Sequence, residues 1–368
     1  MESKRYLTEQ IITYIGNKRS LLSFINEPLN IVMKDLNKEK LDLFDVFSGS
    51  GIVSRYFKQF ASKLYANDLE GYSKTINNCY LMNKSQIDID KLKNYYNEIL
   101  DKISCDGLTE GFISELYSPK NDKSIKKGER VFFTTRNAMY IDTARILIEE
   151  IPEPYKTLLL APLLYEASNK NNTSGVFKGF YKNSETKIGQ FGGNGKNALK
   201  RILGEINLEL PVLSKYECEV NIFQEDSNNL IRKLPLVDLA YLDPPYNQHP
   251  YGSNYFMLNL INEYKRPNEI SVVSGIPKGW NKSRYNNKLT AIESMEEMCE
   301  NINARYILIS FNSEGFIAKE KMIEILAKYG EIQVFEKKYN TFRASRNLHN
   351  RDKHVKEYLF LLKKEKIK

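Results

Sequence analysis

The sequence predicts an α/β protein: a Rossmann-like sheet into which a mostly helical segment is inserted. Three observations carry this reading. An apolar, aromatic-rich run from Leu41 to Phe47 leads into Ser48-Gly49-Ser50-Gly51, and Ile52, Val53, Tyr56 and Phe57 follow at helical spacing. Downstream of Leu236, apolar strands again alternate with helical stretches. Between these regions the composition changes to helical segments separated by Lys- and Asn-rich stretches.

The first run reads as strand, glycine turn and helix, the opening of a βαβ unit. A second short strand over 63–66 ends at Asn67-Asp68, and a helix begins near Tyr72. Segments 87–100, 136–150 and 155–169 have helical spacing, and no glycine turn after a strand recurs among them. A short helix over 227–234 precedes a third apolar strand, 236–242, which ends in Asp243-Pro244-Pro245-Tyr246. Strands over 306–310 and 332–335 follow with a helix, 317–328, between them. Segment 358–362 makes a last strand before the lysine-rich tail. This alternation argues for an α/β sheet. At roughly 150 residues per domain, the length suits two domains or one with an insertion. Residues 1–84 and 216–368 are expected to form one domain and 85–215 the insertion.

Composition narrows the partners. Lys+Arg total 54 against 46 Asp+Glu, a net charge of +8 that favours an anionic partner. Cys79, Cys105, Cys218 and Cys299 lie far apart without a CxxC pair, which argues against a zinc module and a disulfide scaffold. His249, His349 and His354 offer little for a multi-histidine site, so no metal is expected. The opening MESKRYLTEQ is polar, and the apolar run at 158–164 contains Pro162 and is too short to span a bilayer. A soluble, cytoplasmic protein in a reducing compartment, with no membrane partner, is the expectation.

Two motifs carry the chemistry. Gly49 and Gly51 let the backbone turn tightly and approach a ligand at the carboxyl end of a strand. The turn lacks the full dinucleotide pattern and the Gly-Lys-Ser/Thr ending of a P-loop. Asp68 follows about 20 residues on, at the end of the next strand, where a carboxylate can accept both ribose hydroxyls of a nucleoside cofactor; the plainer alternative is a solvated cap. Asp243-Pro244-Pro245-Tyr246 is the more specific motif. Its two prolines fix φ and remove two backbone donors, which leaves a stiff loop with free carbonyls. Carboxylate, carbonyl and aromatic ring together suit an exocyclic amino group on a flat base. The alternative is a proline-rich turn with a buried tyrosine.

FSGSG followed by DPPYN resembles the S-adenosylmethionine-dependent DNA amino-methyltransferases that modify adenine at N6, and the order of parts is similar to the Dam-like group, including halves of the FokI-type enzymes. Tyr14-Ile15-Gly16-Asn17-Lys18 matches the segment that precedes the glycine motif in that group, and Ile222 to Ser227 matches its acid-bearing strand end. Ser310 to Gly315 and Lys356 to Leu359 also resemble it. The resemblance implies a site-specific DNA methyltransferase with double-stranded DNA as its partner and 85–215 as the target-recognition region, accompanied by a cognate restriction endonuclease in a restriction-modification system. It implies that Asp45, Phe47, Gly49 and Gly51 line the methionine and ribose side of S-adenosylmethionine. Lys18, with Tyr14 and Asn17, would face the methionine carboxylate, Asp68 the ribose, and Asp226 the cofactor's adenine. Lys18 as a cation at a helix start and Asp226 as an N-cap are the alternatives.

For the reaction, the resemblance makes Asp243 and the Pro244 carbonyl the acceptors of the two N6–H groups, with Tyr246 stacked on a flipped base. Asn247 extends the motif and receives no role. Three basic stretches suit phosphate contact. The first runs from Lys120 to Arg136, and the second carries Lys178, Lys182, Lys196 and Arg201 around a glycine-rich loop. The third, near the C-terminus, includes Arg343 and Arg346. Each taken singly is equally a solvated face. Two other readings stay open: a DNA-binding module that has lost turnover, and an amino-methyltransferase of RNA or protein.

Overall fold

Val237–Leu242 is buried at every position, as a strand covered on both faces must be. A computed structural model, which describes residues 1–196, 198–340 and 354–366, places this strand (β4) at the middle of a seven-stranded sheet. The other strands are β1 Leu41–Asp45, β2 Ala61–Asn67, β3 Glu219–Phe223, β5 Ala304–Asn312, β6 Gly330–Asn340 and β7 His354–Lys364. Their order is β3-β2-β1-β4-β5-β7-β6. β1 to β5 pair in parallel, and β7 runs antiparallel between β5 and β6. Successive connections run outward from β1 through β2 to β3 and from β4 to β5, so the order reverses between β1 and β4. Such a switch point opens a crevice at the strand carboxyl ends.

Side chains of period two supply both faces of the sheet. Leu43, Leu239 and Leu308 meet the helices Leu22–Asp35 and Ile52–Phe57 on one face. Phe44, Ala240 and Ile307 meet Met295, Met298, Met322 and Leu326 of the helices Lys288–Asn301 and Lys319–Leu326 on the other. The third apolar cluster lies at the strand ends. It joins Tyr72 and Ile76 of the helix Gly71–Leu81 to the helices Ile89–Asp106, Thr135–Glu149, Tyr155–Asn169 and Phe256–Glu263. The expected insertion thus shares its core with elements of the sheet domain.

Most expected elements are present, with differences that have local causes. The helix expected over 227–234 is Ser227–Leu230, followed by turn residues, because Pro235 disfavours helical backbone just before it. Pro162 does not interrupt the helix Tyr155–Asn169. It removes the N–H that would reach the Leu158 carbonyl, which instead lies 4.0 Å from the Cys79 thiol. β6 and β7 extend well beyond 332–335 and 358–362, since the outer part of this hairpin is polar and gives no apolar run. Among the described residues no helix is long and apolar enough to cross a membrane.

Candidate active site

β1 ends at Asp45, and the chain then turns through Gly49 (φ +50°) and Gly51 (φ +73°), a left-handed backbone that favours glycine. A Cβ on Gly49 would stand 2.8 Å from the Tyr14 ring, and one on Gly51 2.8 Å from the Asn77 side-chain oxygen. The turn is locked from outside. The Gly49 N–H donates to Asp68 at 2.7 Å, the Ser73 hydroxyl donates to the Gly49 carbonyl at 2.7 Å, and the Asn77 amide donates to the Ser48 hydroxyl at 2.9 Å.

A cleft of about 830 Å³ opens over this turn at the switch point. Tyr14, Asn17, Lys18, Asp45, Phe47, Gly49, Asp68, Asp226 and Asp243 all line it. Gly51, whose role is to turn the chain into the helix Ile52–Phe57, lies behind it. Asp45 is wholly buried. Its Oδ2 accepts from the Ser54 hydroxyl at 2.6 Å, while Oδ1 has no hydrogen-bond partner among the described residues. Burial pushes its carboxyl up to about 7. Asp68 accepts from the backbone N–H of Gly49 and of Glu70, the latter at 2.9 Å, so the same carboxylate shapes the turn and faces the cleft. Asp226 caps the helix Ser227–Leu230 through Oδ1, accepting from the Asn229 N–H at 3.2 Å. The capping role and a place on the cleft wall coexist.

Across the switch point, β4 delivers Asp243. Burial pushes its carboxyl up to about 6, with Lys18 opposing the shift and Glu357 adding to it. The Lys18 ammonium lies 3.0 Å from Asp243 Oδ1 and 3.3 Å from Glu357 Oε1. Burial alone would lower the Lys18 ammonium, but the two carboxylates outweigh it and hold it well above its usual range. The proline loop is pinned by the Phe316 N–H, which donates to the Tyr246 carbonyl at 3.1 Å. Tyr246 packs edge-on to Phe311 and lines a second cavity of about 580 Å³ with Val176, Lys178, Asn247 and His249. Ile15 and Tyr251 line both cavities, and the DPPY motif contributes Asp243 and Pro245 to the first and Tyr246 to the second. Tyr14 stacks on Tyr251 and Tyr255, and the Ile15 N–H donates to the Tyr255 hydroxyl at 2.7 Å, which anchors the N-terminal segment to the chain just after DPPY.

The basic residues divide. Lys178 is exposed at the second cavity, 3.3 Å from His249, and Lys196 is exposed. Lys182 rests over the Phe180 ring. Arg201 is turned inward, donating to the carbonyls of Asn169, Asn171 and Thr173, which leaves its guanidinium committed to the loop. Arg130 and Arg136 are likewise spent on backbone carbonyls. Arg343 and Arg346 lie outside the described residues. Sequence reading missed Glu70, which lines the cleft, is pushed up to about 7 by burial and accepts from Asn259 at 2.6 Å. It also assigned no role to Glu357, although the Lys356-to-Leu359 stretch was singled out. Both are ordinary surface acids by local pattern.

A mostly parallel sheet with a cleft at its switch point and acids at two adjacent strand ends is the architecture of an α/β protein that binds its ligand at the strand carboxyl ends. The model of the D12 class N6 adenine-specific DNA methyltransferases matches residues 14–325, and the chain belongs to that family. It is similar to the type II methyltransferase M.CviAII of Paramecium bursaria Chlorella virus 1, with 33% identity over 95% of this chain and 98% of that protein. It is also 30% identical to M.NlaIII of Neisseria lactamica over 96% of this chain and 99% of the relative. M.FokI of Planomicrobium okeanokoites is 28% identical over 96% of this chain, which spans 52% of that longer protein. Membership decides against an amino-methyltransferase of RNA or protein, since the family is described as adenine-specific for DNA.

Proposed function

We propose that the protein transfers a methyl group from S-adenosylmethionine to adenine N6 in double-stranded DNA, directly and on a base flipped out of the duplex. The carrying observation is the DPPY segment lining two cavities, with Asp243 on one and Tyr246 on the other. The cleft over the glycine turn fits the cofactor by its donor set. The unpartnered Oδ1 of Asp45 suits the methionine ammonium, and Asp68 and Asp226 are carboxylates with capacity left for the ribose hydroxyls and an adenine amino group. When bound, the cofactor supplies an electrophilic sulfonium methyl.

The adenine N6 lone pair is delocalised into the ring and is a weak nucleophile. Asp243 and the Pro244 carbonyl each accept one N6–H, which draws the nitrogen toward tetrahedral geometry and localises the lone pair. Lys18 engages Oδ1 of Asp243, which leaves Oδ2 for the base. Bound in the cleft, the cofactor would supply the methyl group and retain the S–C electron pair, and Asp243 would take the proton that N6 gives up on becoming methylated. Orientation and electrostatics supply most of the acceleration. Tyr246 offers the ring on which the flipped base stacks, in the second cavity.

Residues 85–215 read the DNA sequence in this scheme, and the exposed Lys178 at the base cavity is their best-placed phosphate contact. The type II relatives support a role as the modification arm of a restriction-modification system, with a cognate endonuclease as partner and the cytoplasm as compartment. The test is single-turnover transfer from labelled cofactor to duplex DNA, followed by mapping of the modified base. Label on N6 of adenine at one recurrent sequence is the expected result. Label on another base, or none with cofactor bound, overturns the proposal.

A further inference from the structure

Asp243 shares its surroundings with more charge than an acceptor of N6–H needs. Lys18 is 4% exposed and Glu357 3%, and the ammonium touches both acids. The ammonium also donates to the Gly16 carbonyl at 3.3 Å. Two carboxylates and a carbonyl thus surround Lys18, and turning it toward a methionine carboxylate would loosen these contacts. Glu357 is held in turn, since the Ser310 hydroxyl donates to its Oε1 at 2.8 Å across the β5–β7 ladder. Taking charges out of water is costly, and one acid would suffice to neutralise Lys18. The second buried acid therefore needs a reason.

We propose that Glu357 is a positioning residue for methyl transfer: it draws part of the Lys18 ammonium away from Asp243, so that Lys18 orients the catalytic carboxylate through Oδ1 without quenching its power to accept the N6–H. The inference rests on the reading of Asp243 as the N6–H acceptor. Among the described residues, few charged and titratable groups face Asp243. Asp45 comes from β1, Tyr241 from β4 itself, Tyr246 and Tyr251 from the segment after it, Lys18 from the N-terminal segment and Glu357 from β7. Lys18 is the only cation in this set, and it makes Asp243 a weaker base. Glu357 opposes it through the same ammonium, and it makes Asp243 a stronger one.

Glu357→Gln keeps the side chain's shape and removes its charge. Single-turnover transfer to duplex DNA is measured from about pH 5.5 to 9, beside equilibrium binding of S-adenosylmethionine and of the duplex. The rate constant should fall on the order of 10–100-fold, as when a supporting partner of a reactive group is lost. The acid limb should move to lower pH, by about half a unit or more, because Asp243 loses a neighbouring negative charge. Both dissociation constants should stay within about twofold of the parent's. Glu357→Asp, which restores the charge, should recover part of the rate. Ser310→Ala loosens Glu357 without touching a charge and should shift rate and limb in the same direction by less, which keeps the test open if Glu357→Gln does not fold. An unmoved acid limb with a normal rate overturns the inference, and so does a loss confined to cofactor affinity, which would turn Lys18 toward the methionine carboxylate. Asp243→Ala separates the two levels. If it transfers normally, the acceptor reading fails; if it is inactive while Glu357→Gln is normal, only the present inference fails.

Discussion

Asp45 and Asp243 stand at the carboxyl ends of adjacent strands, and both are pushed upward by burial, but they are buried in opposite company. Asp45 accepts from a neutral partner, the Ser54 hydroxyl, through one oxygen, and its other oxygen has no hydrogen-bond partner among the described residues. Asp243 is gripped by an ammonium that a second acid shares. An unpartnered buried carboxylate is costly in the free protein and gains most when a cation arrives. An ion-paired one is already satisfied, and its residual basicity is set by the balance of its neighbours. The first arrangement suits capture of a cationic group, the second acceptance of a proton from a neutral one. Two aspartates a strand apart thus acquire different chemistry from their surroundings alone.

The contrast can be broken most sharply at Asp243. Asp243→Ala should lower single-turnover transfer by on the order of 10²–10³ while cofactor affinity measured by calorimetry largely survives. Near-normal transfer would make the DPPY loop structural and erase the distinction. On the cofactor side, Asp68→Ala should weaken S-adenosylmethionine binding by roughly 1.5–3 kcal/mol, since it removes a charge-assisted acceptor. Unchanged affinity in a folded variant would confine Asp68 to bracing the Gly49 turn. Tyr246→Ala should cost about 1–3 kcal/mol in capture of the base, and Tyr246→Phe should restore most of it because stacking needs only the ring. Loss in both variants would point to the hydroxyl instead.

The pH dependence sharpens the comparison further. In the proposed capture a cation would bind the ionised form of Asp45, whose carboxyl burial pushes up to about 7 in the free protein. Cofactor affinity should therefore fall as pH drops below 7, approaching about tenfold per unit. Asp45→Asn should weaken binding and flatten that slope in titrations across the same range. A slope that survives intact would assign the proton to Glu70, the other cleft carboxylate pushed up to about 7. The smallest effect lies at the DNA surface. Lys178→Ala should reduce the slope of log K against log salt by about 0.9 if it meets a phosphate, with cofactor affinity untouched. An unaltered slope would move the contact away from the base cavity.

What the sequence determined by itself is what lies within a few residues. The apolar run into FSGSG, the acid at the end of β2 and the stiff DPPY loop are local patterns, and the helix Tyr155–Asn169 is legible to the residue as one long, mostly apolar segment. Such signals need only neighbours in the chain, since strand and helix periods and proline geometry are set there. The tertiary structure decided the rest. It inserted β7 antiparallel between β5 and β6. It gave Lys18 to Asp243 and Glu357, and it turned Arg201 from a surface cation into a brace for backbone carbonyls. It also made the helical segment continuous in its core with the helices Gly71–Leu81 and Phe256–Glu263. Charged residues carry no local mark of whether they will be solvated or buried with a partner. That outcome depends on which distant segments the sheet order brings together, and at Asp243 the order brings the N-terminal segment and β7 to one carboxylate.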